Sequence, residues 1–240
     1  MISQLKVEFN HLVQRYRLYF GSCDLCGSNH IKHTFLCQHC LADLPLFNYQ
    51  AIGGSLVAWP ATHQLIKKQH FDQLYCLAPY IWPFNFWLQQ YKYHGRFQLY
   101  LLFADLLTTF WQTQVKSNNA PTALATIPIH LSKWQQRGYN QCHLIAKQFA
   151  QNNKLIYLRD LLIKTNNDSS QVGKTGQARR NSLRNSFALG QCYEQMPKEL
   201  ILFDDVITTG TTINEVSLLL KQQGVEKINV LTIAISLPPY

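Results

Sequence analysis

Apolar positions change period several times along the chain. From Leu74, LYCLAPYIW is a short apolar run closed by proline, which predicts a buried strand. FQLYLLFADLLTTFWQTQV, from Phe97 to Val115, returns apolar side chains at helical spacing. KSNNAPT breaks that pattern, and ALATIPI after it reads as another buried strand. SKWQQRGYNQCHLIAKQFAQNN then gives a loop and a helix with Leu144, Ile145 and Phe149 inward. Last come ELILFDDV, a threonine loop, INEVSLLLKQQG and INVLTIAIS: strand, loop, helix, strand, with Gly224 where a helix-ending glycine belongs. Strands alternating with helices predict an α/β domain around a parallel sheet, whose ligands bind at the carboxyl ends of the strands.

The earlier part of the chain is less periodic. MISQLKVEFNHLVQRYRLYF reads as a helix with Leu5, Phe9, Leu12, Val13 and Tyr16 on one face. It lacks the basic start, apolar middle and small-residue cleavage site of a signal peptide, so the cytoplasm is the expected compartment. No run of 18 apolar residues occurs, and no membrane insertion is expected. Residues 46 to 70 are mixed, with Gly53-Gly54 and Trp59-Pro60 marking loops. A second loop-rich segment, strongly basic, runs from Lys164 to Asn185. The expected organisation is an N-terminal helix and cysteine module (1–48), a connecting or hood segment (49–73) and a sheet domain (74–240).

Four of the seven cysteines lie close together: Cys23 and Cys26, then Cys37 and Cys40. Two CxxC turns ten residues apart can aim four thiolates at one point, the tetrahedral arrangement of a closed structural zinc site. A redox CxxC ordinarily stands alone at a helix start, so zinc is the expectation here. His30, His33 and His39 offer alternative ligands, but four thiolates are simpler. The remaining Cys76, Cys142 and Cys192 read as core residues.

Charge sharpens the picture. The net charge is +9, and residues 128 to 187, with 10 basic and 2 acidic side chains, carry +8 of it. An anionic partner is implied, either a phosphorylated ligand or a nucleic-acid backbone.

The strand ILFDDVI ends in adjacent aspartates and is followed by Thr208, Thr209, Gly210, Thr211 and Thr212. A loop entering a helix presents unpaired N–H groups and a positive dipole end, a ready phosphate cradle. The threonines add hydroxyl donors, and Gly210 permits close backbone approach. Asp204 and Asp205 can accept from vicinal hydroxyls, or help hold magnesium through water. Phosphate donors beside diol acceptors describe a ribose 5-phosphate site. A nucleotide-hydrolase reading would need a Gly-rich phosphate loop, but Gly173-Lys174-Thr175 has Asp168 where that loop's first glycine belongs, and no strand before it.

ILFDDVITTGTTI resembles the thirteen-residue signature for 5-phosphoribosyl-1-pyrophosphate (PRPP) in type I phosphoribosyltransferases. Ile127-Pro-Ile-His-Leu-Ser132 with Arg137-Gly-Tyr-Asn-Gln141 is similar to the VPVP…RGFNQ segment of the ComF family, also called the GntX group. Gln171, Arg179, Arg180 and Phe187 match that family's Q…R…N…F stretch, Lys92-Tyr-His-Gly95 its KYxG, and the four cysteines its zinc motif. The resemblance spans roughly residues 20 to 240. It implies a type I phosphoribosyltransferase-like parallel sheet flanked by helices, preceded by a small four-cysteine zinc ribbon.

It also implies that Asp204 and Asp205 meet ribose hydroxyls and that Val206 to Thr212 (Val206, Ile207, Thr208, Thr209, Gly210, Thr211 and Thr212) form the phosphate strand end and loop. The loop with His130 and Leu131 would then be the pyrophosphate loop. Arg137 and Arg179 would be cations for pyrophosphate, and Lys92 would be a further contact unless it only coats a helix start. Asp204, Asp205 and Arg179 are the candidates for any catalysis, with magnesium accompanying PRPP. Two functions follow. One is a PRPP-binding competence protein that handles incoming single-stranded DNA in the cytoplasm during natural transformation, with a competence helicase as a further partner. The alternative is an orphan phosphoribosyltransferase that moves phosphoribose to an unidentified acceptor and releases pyrophosphate. Trp134, Tyr139, Tyr157 and Phe187, interspersed in the basic segment, are compatible with base stacking.

Overall fold

The computed structural model describes residues 21–29, 35–66, 69–115, 121–129, 134–135, 137–165, 186–190, 193 and 195–237. The expected N-terminal helix lies outside them, as do His130, Leu131, Lys174, Arg179, Arg180 and Cys192. The chain divides into two compact units, Met1–Pro45 and Leu46–Tyr240.

In the first unit a tight turn folds Cys23 toward Cys26: Gly27 N–H donates to Cys23 O at 2.9 Å and Cys23 N–H to Ser28 O at 2.8 Å. Asp24 N–H reaches Phe35 O at 2.9 Å, closing the short loop between the two CxxC turns. Helix α1 (Gln38–Ala42) starts from Cys37, whose sulfur accepts the Cys40 N–H. Among the described residues of this unit, Phe35, Leu36 and Leu44 are buried.

The second unit begins with α2 (Tyr49–Ile52), a 3-10 turn (Leu56–Ala58) and α3 (Pro60–Leu65) before strand β1 (Gln73–Pro79). Weak periodicity in this stretch reflects a different job from core packing. β1 lies at the edge of the sheet, and an edge leaves backbone groups unpaired. Here side chains supply partners: the Tyr49 hydroxyl accepts from Cys76 N–H at 2.7 Å and donates to Cys76 O at 3.1 Å. Ser55 Oγ does the same for Leu74, and Phe47 N–H bonds Leu77 O.

Then follow α4 (Phe84–Tyr93), α5 (Leu99–Phe110) with a wider π turn over Trp111–Val115, and β2 (Ala123–Thr126). After these come α6 (Gln141–Asn153), β3 (Ile156–Tyr157), β4 (Leu162–Lys164), β5 (Phe187–Leu189), β6 (Glu199–Ile207), α7 (Thr211–Gln222) and β7 (Lys227–Ile235). Five strands pair in the order β1-β7-β6-β2-β3, all parallel. β6 and β7 occupy the middle. Their near-continuous Leu, Ile, Val and Phe runs are buried, as expected for strands covered on both faces. α5 shows nearly all its apolar residues buried, from Leu99 to Phe110, because it packs on both α6 and β1. α6 is capped by the Asn140 carboxamide on His143 N–H, and it turns Ile145 and Phe149 inward. Gly224 takes φ +92° just past α7.

Three short strands, β3, β4 and β5, escaped the sequence pattern. β4 and β5 form an antiparallel two-strand ladder, Leu162 opposite Leu189 and Lys164 opposite Phe187, at the two ends of the basic segment. Three-residue strands are too short to show a period, so that segment reads as loop throughout. Among the described residues, no helix is long and apolar enough to cross a membrane.

Candidate functional site

β6 is buried along its length until its last residues bring Asp204 and Asp205 to the carboxyl edge of the sheet. The chain then turns through Thr208 and Thr209 into α7. Gly210 makes the turn, with φ +68°. A side chain there would also collide, since a Cβ would lie 2.8 Å from Ile66 Cγ1. Thr208, Thr209, Thr211 and Thr212 are exposed, and the hydroxyls of Thr209 and Thr211 lie 3.0 Å apart. Those hydroxyls and the first-turn N–H groups of α7, which have no partner within the helix, face one cleft. Asp204, Val206 and Ile207 complete its lining.

The two aspartates do different things. Asp205 is buried, and its Oδ1 receives Lys92 Nζ at 2.8 Å from the last turn of α4. Burial opposes the Lys92 charge, but the Asp205 carboxylate outweighs it and holds that ammonium above its usual pKa. Asp204 faces the cleft. Its Oδ1 accepts from the Asp205 N–H at 2.8 Å and from the Cys142 thiol at 3.7 Å. Burial first, and the neighbouring Asp205 charge second, push Asp204 up to about 7. Cys142, expected to be an ordinary core residue, is buried but touches the acid pair. Its thiol is held well above its usual pKa by burial and by the two carboxylates, so it donates as S–H. One ligand atom from each of Cys142, Asp204 and Asp205 lies within 4.8 Å of the others. The Lys92 ammonium already fills the cation position on Asp205.

α6 joins the cluster from the other side. The Tyr91 hydroxyl donates to Gln141 O at 3.0 Å, and the Tyr139 hydroxyl donates to Tyr91 O. This binds the RGYNQ segment to the helix that carries Lys92. Arg137 is anchored by Nη1 to Gln141 Oε1 at 3.0 Å and by Nη2 to the Tyr93 hydroxyl at 3.1 Å, with its guanidinium 5.0 Å from the Tyr93 ring centre. At the end of β2, Thr126 Oγ1 lies 3.3 Å from the Tyr157 hydroxyl, which lies 2.9 Å from His143 Nδ1. Of the four aromatics read as stacking candidates, Tyr139 and Tyr157 are therefore committed to internal hydrogen bonds. Phe187 lies under Lys164, and Trp134 is 50% exposed.

In the N-terminal unit, Sγ atoms of Cys23, Cys26, Cys37 and Cys40 lie within 4.8 Å of one another, with Cys26 and Cys37 3.7 Å apart. A tetrahedron with Zn–S bonds of about 2.3 Å has edges of about 3.8 Å, so the four sulfurs fit a zinc ion.

The parallel five-stranded sheet flanked by helices, with an acid pair and a threonine-rich turn at the carboxyl end of its central strand, is a type I phosphoribosyltransferase-like fold. The chain is 31% identical over 216 residues to "Competence protein F" of Haemophilus influenzae, covering 87% of this chain and 94% of that protein. It therefore belongs to the ComF family. It is also 21% identical over 224 residues to "DNA utilization protein YhgH" of Escherichia coli K12, covering 88% of this chain and 89% of that one. To "Competence protein ComFC" of Streptococcus pneumoniae it is 26% identical over 144 residues, 60% of each chain. No family model matches the chain. Among solved structures it is similar to the glutamine PRPP amidotransferase from B. subtilis complexed with ADP and GMP, with TM-score 0.42 and 16% identity over 60% of this chain and 30% of that one.

Proposed function

We propose that the chain is a PRPP-binding competence protein that acts on incoming single-stranded DNA in the cytoplasm. The observation that carries this reading is the single cleft holding Asp204 at one side and the Thr208–Thr212 turn at the other. The exposed threonine hydroxyls and the α7 N-terminus receive the 5-phosphate, and Asp204 accepts from the sugar hydroxyls. Asp205 contributes through Lys92, which offsets the second negative charge that a dianionic sugar phosphate would otherwise meet. Magnesium accompanies the ligand's phosphates, and zinc holds the four-cysteine unit together. The DNA role is supported by the names of the relatives, which concern competence and DNA utilisation, and by the basic charge concentrated in residues 128 to 187. A competence helicase is the expected protein partner.

Calorimetry with PRPP and magnesium tests the site, comparing the wild type with an Asp204→Ala/Asp205→Ala protein. Binding confined to the wild type is expected, and equal heats from both would remove the site. Oligonucleotide binding measured across a salt series tests the second half. Saturable binding to single strands that weakens with salt and with Arg179→Ala is expected. No binding at low salt would refute DNA handling.

A further inference from the structure

The outward face of α4 is as aromatic as its inward face. Phe84, Trp87, Leu88 and Tyr91 are buried and hold the helix against α5 and β7. Among the described residues ten large apolar side chains are exposed, and five of them, Ile81, Trp82, Phe86, Tyr93 and Phe97, fall in or beside this one helix. Their exposure runs from 43% to 63%. Asn85 N–H donates to Ile81 O at 3.0 Å and Trp87 N–H to Pro83 O at 2.9 Å, so helical winding begins ahead of Phe84. Trp82, Phe86, Gln89 and Tyr93 recur four, three and four residues apart, which puts them on one face. From Trp82 to Tyr93 that face is about 16 Å long, at 1.5 Å per residue. A helix apolar all round is ordinarily buried all round, so the outer stripe is a surface for a partner.

Its chemistry says which partner. The stripe is aromatic rather than aliphatic, Ile81 excepted, and every base of an unpaired strand offers a π face to stack on such rings. Charge agrees. No carboxylate lies in the chain between Asp72 and Asp105, whereas Lys92 and Arg96 do, Lys92 being matched by Asp205. At the Tyr93 end the Arg137 guanidinium stands 5.0 Å from the ring centre and donates to its hydroxyl. A polyanion thus meets rings and positive charge with no opposing carboxylate from that stretch of chain. Bases in a duplex keep their faces stacked on one another, so a row of exposed rings selects unpaired strands. Tyr139 and Tyr157 of the basic segment serve less well, since both are held in internal hydrogen bonds.

We propose that the outer face of α4, with Trp82, Phe86 and Tyr93 in line and Phe97 just beyond, is a stacking platform for single-stranded DNA. This names a face for the DNA half of the function proposed above and rests on it. None of these side chains lines the Asp204–Thr212 cleft, so the platform is a surface separate from that site.

The experiment is fluorescence polarisation of a labelled oligothymidylate titrated with the full chain across a salt series. The wild type is compared with Trp82→Ala/Phe86→Ala and with Trp82→Phe/Phe86→Tyr. The platform requires about tenfold or more weaker binding by the alanine pair. Its salt slope should stay that of the wild type, because no phosphate contact has been removed. The aromatic pair should bind as the wild type does. Equal affinity of the wild type and the alanine pair overturns the platform and leaves DNA binding to another part of the chain. Equal losses in both pairs also overturn it, since stacking survives the aromatic exchange. So does loss of self-association in the alanine pair at unchanged DNA affinity, which would make the face an interface between copies. No wild-type binding at low salt refutes DNA handling itself, and the platform with it. Should the alanine pair fail to fold, Phe86→Ala alone carries the same comparison.

Discussion

Lys92 Nζ and Asp205 Oδ1 lie 2.8 Å apart although 113 residues separate them in the chain. Both side chains are largely withdrawn from water, 17% and 11% exposed. Removing one partner of a buried ion pair leaves an uncompensated charge, which costs about 3 kcal/mol or more. Lys92→Met is therefore expected to lower the unfolding free energy by roughly that amount in urea titrations. The double variant Lys92→Met/Asp205→Asn should recover most of the loss. Additive losses in the double variant would mean the pair contributes no coupling.

Asp204 sets a pH dependence. Its folded value, about 7, lies above its ordinary 3.8, so the folded state holds that proton more tightly than the unfolded chain does. Stability from this group is full at low pH and declines as pH rises from about 4 through about 7. Asp204→Asn should raise the melting temperature at pH 8 and leave it nearly unchanged at pH 4. A variant that is equally stabilised at both values would place the effect elsewhere.

Gly210→Ala combines two costs. A non-glycine residue at φ +68° costs about 1–2 kcal/mol, and its Cβ would press on the buried Ile66 side chain. Lower stability and weaker PRPP binding are expected together. Adding Ile66→Ala should relieve only the collision. Normal binding by Gly210→Ala at full stability would show that the turn tolerates another shape.

The cysteine unit gives a compositional test. Mass spectrometry under native conditions should find a single zinc per chain, lost in Cys37→Ser and on treatment with a strong chelator. The four thiolates tie both CxxC turns to one point, so chelation should open residues 21 to 45 to protease and leave the sheet unit resistant. An intact protease pattern after complete zinc removal would show that the unit folds without metal.

Much of this was legible in order along the chain. Every strand of the sheet from Leu74 onward except the two-residue β3 shows as an apolar run, and the Asp204–Thr212 stretch shows its chemistry because all its groups are consecutive. The cysteines show by spacing alone. What stayed hidden depends on the fold to bring distant residues together. KYxG singles out Lys92 as a ligand contact, but its pairing with Asp205 shows only when α4 lays it against β6, and Cys142 looks like filler until α6 delivers its thiol to Asp204. The stretch from 46 to 66 lacks a period because its helices are only three to six residues long, while Phe47 N–H, the Tyr49 hydroxyl and Ser55 Oγ bond the edge of β1.

Ile66 has a consequence of its own. It lies under Gly210, and a few residues on, His70 N–H donates to Asn214 Oδ1 on α7 at 3.0 Å. The floor of the Thr208–Thr212 turn is thus built by chain that belongs to no strand of the sheet. Under the function proposed above, a change at Ile66 would retune the turn's grip without touching a residue that meets ligand. A lesion at Ile66 would present as a binding defect with an intact binding sequence.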